Sequence, residues 1–224
     1  MNYRENISLN DVMVNREVKA YIDRVDSVMD IMGYSDHSGA HTKLVAETSA
    51  KILKTFGYDE RTIELARIAG YTHDIGNAVN RNLHAQTGAV IMFEMLTRMH
   101  MPPEEVGLVI SAIGHHDEGD GLPVSPISAA LIIADKADVR RSRVKNTDVT
   151  SFDIHDRVNY AAEKSDLEVV AETKDINLRL TIDLNMCTVA DYFEIFLGRM
   201  VMSSRASAFL GGHFHLFIND TKLL

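Results

Sequence analysis

Apolar residues recur every three or four positions through the first two thirds of the chain and every second position through part of the last third. Val18, Ile22, Val25, Val28, Met29 and Met32 share one helical face that stops at Gly33. Leu44, Val45, Thr48, Ile52 and Leu53 mark a second helix ending at Gly57, where glycine past the last turn is an ordinary stop. Asp59 is a good N-cap for a third, which runs through Ile63, Ala66, Ile68 and Ala69 and delivers His73 and Asp74 just before Gly76. A fourth is expected over 83–99. Pro102 and Pro103 open a fifth over 103–116, with Glu104 and Glu105 in its first turn, where acids suit the helix dipole. After the turn-rich stretch 118–126, a sixth runs from Ser128 to about Arg140.

Beyond residue 165 the period shortens. Leu178, Leu180, Ile182 and Leu184 alternate with Arg179, Thr181 and Asp183, the repeat of a half-buried strand, and Leu167 to Glu172 suits its hairpin partner. Tyr192, Phe193, Phe196, Met200 and Val201 suit a helix ending at Gly211 and Gly212, and Phe214 to Ile218 a short strand after it. The expected fold is therefore mainly α. It divides into an N-terminal helix (1–34), a helical bundle (35–150) and a small C-terminal α/β region (151–224), with a ββαβ unit over 166–224.

Composition narrows the class. The 224 residues are 46% hydrophobic and 25% charged, which is the globular range and excludes disordered or fibrous chains. The one cysteine, Cys187, cannot form an intramolecular disulfide and suits a reducing compartment, so the cytoplasm is the expected location. The N-terminus has no signal-peptide pattern, and no run approaches the ~20 apolar residues of a membrane span. A net charge of −9 argues against extended nucleic acid or an anionic membrane as partners. The oligomeric state stays open, with a homodimer as one possibility.

Seven of the ten histidines fall within residues 37–116, where even scattering would place about 3.6. In order, the chain offers His41, the pair His73-Asp74, His84, the pair His115-His116, and Asp135. Each lies near the middle or end of a different expected helix, so a bundle can turn them into one interior space. Imidazoles and carboxylates in that number exceed the needs of one tetrahedral ion. They suit one or two divalent ions, iron or manganese first, with zinc, nickel, cobalt or magnesium as alternatives. A second signal follows at once: residues 136–145 hold Lys136, Arg140, Arg141, Arg143 and Lys145 against only Asp138. Lys136 and Arg140, one helical turn apart, are candidates to hold a substrate's phosphates, although cations also collect at helix C-termini for dipole reasons alone.

The ordered set His41, His73-Asp74, Asp135, with the local strings THDIGN (72–77) and IADKAD (133–138), resembles the HD-domain metal-dependent phosphohydrolases over residues 35–145. His84 and His115 match second-metal ligands of the dinuclear members, and 115–121 is similar to the HHExxDG of cyclic dinucleotide phosphodiesterases of the HD-GYP type. Asn77 replaces their lysine after HDIG, and Pro123-Val124-Ser125 replaces their GYP, which points away from a cyclic dinucleotide. The short gap from Asp74 to His84 is nearer to that of small HD hydrolases of nucleotides.

The resemblance implies one ion on His41, His73, Asp74 and Asp135. A second ion would share Asp74 and take His84 and His115, with His116 as a further ligand or substrate contact. It further implies catalytic roles for Asp74, Lys136 and Asp138, and hydrolysis of a phosphoester or phosphoanhydride, in a nucleotide, by a metal-bound hydroxide. Asp117, Asp120 and Asp138 are candidates to position ligands or protonate the leaving group, with turn chemistry the plainer reading of 117–121. Two rival readings stand beside it: a diiron oxygenase of the same scaffold acting on a small polyol or phosphonate, and a non-enzymatic metal-binding signalling module. His37 reads as a loop residue near His41, His100 and His155 as surface, and His213 and His215 as a polar strand face.

Overall fold

The computed structural model describes residues 3–32, 39–144, 146, 148, 151, 152 and 154–224. Gly33, His37 and Lys145, named above, lie outside the described residues.

The expected single N-terminal helix is two, α1 (Leu9–Val14) and α2 (Arg16–Met32). Asn15 is the cause. Its side-chain oxygen accepts from the amides of Glu17 and Val18, so it caps a new helix where the hydrophobic pattern alone would continue the old one. Five further helices form the bundle: α3 (Gly39–Thr55), α4 (Glu60–Thr72), α5 (His84–Arg98), α6 (Pro103–Gly114) and α7 (Pro126–Ala137), with a 3-10 turn over Ile75–Ala78 between α4 and α5. The helix expected over 83–99 is α5, whereas those expected to reach 116 and about 140 stop at Gly114 and Ala137.

The central element is α7, which starts at a capping box formed by Ser125 and Ser128. Its residues Ile127 to Ala134 are all buried, the signature of a helix covered on every side. It packs against α3, α4 and α6, and on another side against α9 (Val189–Phe209). Its C-terminal end thus sits in the deepest part of the molecule.

The C-terminal region begins with a helix absent from the sequence reading, α8 (Ile154–Ala161), followed by β1 (Ala162–Val170), β2 (Asp175–Ile182), α9, β3 (His213–Ile218) and the two-residue β4 (Thr221–Lys222). The sheet order is β1-β2-β3-β4. β1 and β2 are antiparallel, with Leu167 opposite Leu178, and β2 and β3 are parallel, with Leu178 opposite Leu216. This is the expected ββαβ unit with one short strand added. β2 buries Ile176, Leu178, Leu180 and Ile182, but Leu184 lies past its end and is exposed. Tyr192, Phe196 and Met200 of α9 are buried in the same core. No helix among the described residues is long and apolar enough to cross a membrane.

Candidate metal centre

Five helix ends meet at one point. His41 is in the first turn of α3; His73 caps the C-terminus of α4 and Asp74 follows it; His84 opens α5; His116 lies two residues past α6; Asp135 is in the last turn of α7. Two glycines allow this convergence. A Cβ on Gly70 would stand 2.7 Å from the Ala46 Cα, so α3 and α4 cross backbone to backbone just below His41 and His73. A Cβ on Gly76 would overlap the carbonyl of His84, so the turn after Asp74 rests directly on the start of α5.

Asp74 faces two groups of imidazoles. Its Oδ2 lies 3.4 Å from His73 Nε2 and 3.9 Å from His41 Nε2, and its Oδ1 lies 3.4 Å from His84 Nε2 and 3.8 Å from His116 Nε2. Asp135 Oδ1 joins the first group, at 3.3 Å from His41 Nε2 and 3.6 Å from His73 Nε2. His41, His73, Asp74, His84 and His116 are nearly inaccessible to solvent.

The imidazoles are oriented from behind. His73 Nδ1 donates to the Gly70 carbonyl at 2.8 Å, His84 Nδ1 to the Arg81 carbonyl at 3.1 Å, and His116 Nδ1 to the Ile113 carbonyl at 2.6 Å. His41 Nδ1 contacts Asp138 Oδ2 at 2.7 Å. Carbonyl and carboxylate oxygens only accept, so in the neutral rings the proton sits on Nδ1 and the Nε2 lone pair faces the carboxylates. That is the arrangement of metal-ligating histidines, whose other ring nitrogen is tied to a carbonyl or carboxylate. His73 Nε2 is buried and has no hydrogen-bond partner among the described residues, a costly state that an ion relieves. The donor set fits a divalent metal.

The residues named from sequence separate into two sets. His41, His73, Asp74, His84, His116 and Asp135 are brought together, whereas His115 is not. α6 stops at Gly114 rather than continuing to 116, and the chain there turns the ring of His116 inward while His115 caps the helix, half-buried. Asp138 lies behind the His41 ring, where Arg140 also grips its carboxylate. It positions His41 rather than facing the cluster. Burial opposes its ionised form, but His41, Arg140 and Arg143 bring its pKa down to about 2, so it holds no proton to donate. Arg140 was expected one helical turn after Lys136, but α7 has ended at Ala137 and the guanidinium folds back on Asp138. Asp117 lines the cleft over the cluster, and Asp120 is exposed on the turn. His213 is exposed, and His215 pairs with Asp175 at 3.3 Å on the sheet.

Further groups surround the cluster, some of them not singled out from sequence. Asn77, noted above only as a departure, donates from Nδ2 to Asp74 Oδ1 at 2.9 Å and holds that carboxylate in place. Arg81, Lys136, Arg143 and Arg199 line the cleft over the cluster together with Asp74, His84, His116, Asp117 and Asp135. Lys136 Nζ is buried, 2.7 Å from Asp135 Oδ2 and 3.2 Å from Glu118 Oε1, and Arg199 Nε of α9 reaches the same Glu118 oxygen at 2.8 Å. Of these, Lys136 and Arg143 belong to the basic run read at 136–145, whereas nothing in the sequence pointed to Arg81 or Arg199.

Charge in the centre follows from these pairings. Burial lowers the pKa of His73, but the carboxylates of Asp74 and Asp135 outweigh it and raise it to about 10. Burial, then the neighbouring His73 and Lys136 charges, push His116 down to about 3. Burial opposes ionisation of Glu118, yet Lys136 and Arg199 hold it at about 2. Asp135 is held well below the ordinary carboxylate range by Lys136, His41 and His73 against its burial.

Converging helix ends thus enclose imidazoles and carboxylates, oriented through their outer nitrogens, in a donor set that suits a divalent metal. Residues 39–141 match the HD domain family. The chain is also 24% identical over 155 residues to an uncharacterized protein, MJ1020, of Methanocaldococcus jannaschii; the match covers 59% of this chain and 60% of that protein.

Proposed function

We propose that the protein is a phosphohydrolase that binds two divalent ions and cleaves a phosphoester or phosphoanhydride bond of a small phosphorylated substrate, a nucleotide. The carrying observation is Asp74, whose two oxygens face separate imidazole groups, as a carboxylate shared between two ions must. His41, His73, Asp74 and Asp135 would hold one ion, and Asp74, His84 and His116 the other. Ions bound there, iron or manganese by donor type, supply Lewis-acid polarisation of the phosphoryl group and an activated water.

The chain's own residues do the rest. Asn77 fixes the orientation of Asp74, and Asp138 fixes His41. Arg81, Lys136 and Arg143 present cationic groups to the phosphoryl oxygens in the cleft. Four cations around one small cleft favour hydrolysis of an anionic substrate over oxidation of a neutral polyol. A protein loaded with Mn2+ or Fe2+ should release phosphate or a nucleotide product from a panel of nucleotides and phosphodiesters, and Asp74→Asn should abolish that release. A loaded protein inert toward the whole panel would refute the reading.

A further inference from the structure

We infer that Glu118 occupies the seat of a substrate phosphoryl group, and that Arg199, supplied by the C-terminal α/β unit, is the cation that recognises that group once Glu118 swings away. The inference rests on the phosphohydrolase reading above and names the phosphate subsite within it. Three observations carry it.

First, one oxygen of Glu118 lies against both a buried ammonium (Lys136 Nζ, 3.2 Å) and a guanidinium nitrogen (Arg199 Nε, 2.8 Å). An anionic oxygen held between lysine and arginine is equally the geometry of a bound phosphoryl oxygen. Both cations line the cleft over the imidazoles, so the seat adjoins the centre.

Second, the two cations are carried by helices, whereas the carboxylate is carried by a short turn. Lys136 is anchored by Asp135 at 2.7 Å on the buried end of α7. Arg199 is carried by the 21-residue α9, with its guanidinium 4.6 Å from the Phe196 ring centre. Glu118 instead sits on the turn 117–121 with Gly119 and Asp120 exposed beside it, and its side chain is 29% exposed. The turn's backbone is tied by the Gly121 amide donating to the Asp117 carbonyl at 3.0 Å, so a side-chain rotation is enough to vacate the seat.

Third, charge sets which ligand wins. A phosphodiester, with one negative charge, gains little by replacing a carboxylate of the same charge. A terminal phosphoryl group carries nearly two at neutral pH and gains from both cations. The two cations thus favour a terminal phosphate, and the resting carboxylate lowers the apparent affinity of either ligand alike, by the fraction of time it holds the seat.

Orthophosphate binding to the purified protein, measured by titration calorimetry, tests this without turnover. Glu118→Gln should bind orthophosphate about tenfold more tightly than the parent, the weight of one charge-assisted contact, and Arg199→Gln about tenfold more weakly. Dimethyl phosphate should bind more weakly than orthophosphate to the parent, and by a similar ratio to Glu118→Gln, because vacating the seat helps both ligands alike. If either glutamine variant fails to fold, Glu118→Asp, whose shorter arm reaches the seat less well, should still bind more tightly, and Arg199→Lys should bind between parent and Arg199→Gln. Equal or weaker binding by the Glu118 variants, or unchanged binding by the Arg199 variants, overturns the inference. The expected orthophosphate pattern with no nucleotide hydrolysed sinks the phosphohydrolase reading alone; hydrolysis with the phosphate pattern missing sinks this inference alone.

Discussion

Asp74 divides its two oxygens between two imidazole groups and is held by Asn77, so a substitution that keeps its shape but removes its charge isolates its chemistry. Asp74→Asn should leave the fold intact and cut metal content measured by elemental analysis to less than half that of the parent. Asp138→Asn is a subtler test. It preserves size but weakens the acceptor behind His41 Nδ1, and such outer partners are worth about 10–100-fold in metal affinity. Metal titration should show that loss, and unchanged affinity would mean that His41 needs no support from Asp138. The donors His41, His73, Asp74, His84 and Asp135 were legible in sequence because they follow one ordered pattern, with His73-Asp74 and Asp135 in recognisable local strings. The choice of His116 over His115 was not, because it depends on α6 stopping at Gly114 rather than at 116. Arg81 and Arg199 were illegible for another reason. Their relevance comes from contacts across the cleft, and nothing local distinguishes a surface arginine from one that will meet Glu118.

Helices were readable where periodicity and a cap agreed, as at Asp59 before α4 and the prolines before α6. They misread where a side chain overrode the pattern: Asn15 split one helix into two, and α8, with only Val158 and Ala161 buried, has too little apolar face to announce itself. The close crossing of α3 and α4 gives a prediction at this scale. Glycine inside a helix is ordinarily a liability, and replacing it with alanine should stabilise by about 1 kcal/mol. At Gly70 the added methyl would stand 2.7 Å from the Ala46 Cα, which is backbone and cannot rotate away. Overpacking of that kind costs about 1–3 kcal/mol, so the net effect of Gly70→Ala is destabilising. Urea unfolding should show a lower midpoint at unchanged slope. A higher midpoint would mean that the two helices separate without penalty, and that the placing of His41 beside His73 does not depend on the crossing.

The whole molecule carries a net charge of −9 yet concentrates cations at one buried centre, and protons there compete with metal. Without an ion, the negative carboxylates around His73 favour its protonated form, with a pKa near 10 against 6.5 in the unfolded chain. A group raised on folding contributes stability that is fully present below pH 6.5 and is lost as pH rises through about 10. Asp138 and Glu118, both depressed to about 2, contribute stability above their ordinary values near 4 that is lost as pH falls toward 2. Metal binding reverses the first of these terms, because a ligating imidazole must give up its proton. The metal-free chain should therefore lose stability on the alkaline side, while the stabilisation conferred by a divalent ion should grow as pH rises from about 6 to 8. An ion at 100 times its dissociation constant stabilises by about 2.7 kcal/mol, so the difference in melting temperature between loaded and chelator-treated protein is readable at each pH. Calorimetry in two buffers of different ionisation heat should also show about one proton released as the first ion binds at neutral pH. Binding with no proton release, and a stabilisation independent of pH, would mean that His73 is neutral before the ion arrives and that the carboxylates around it are balanced by Lys136 and the arginines alone.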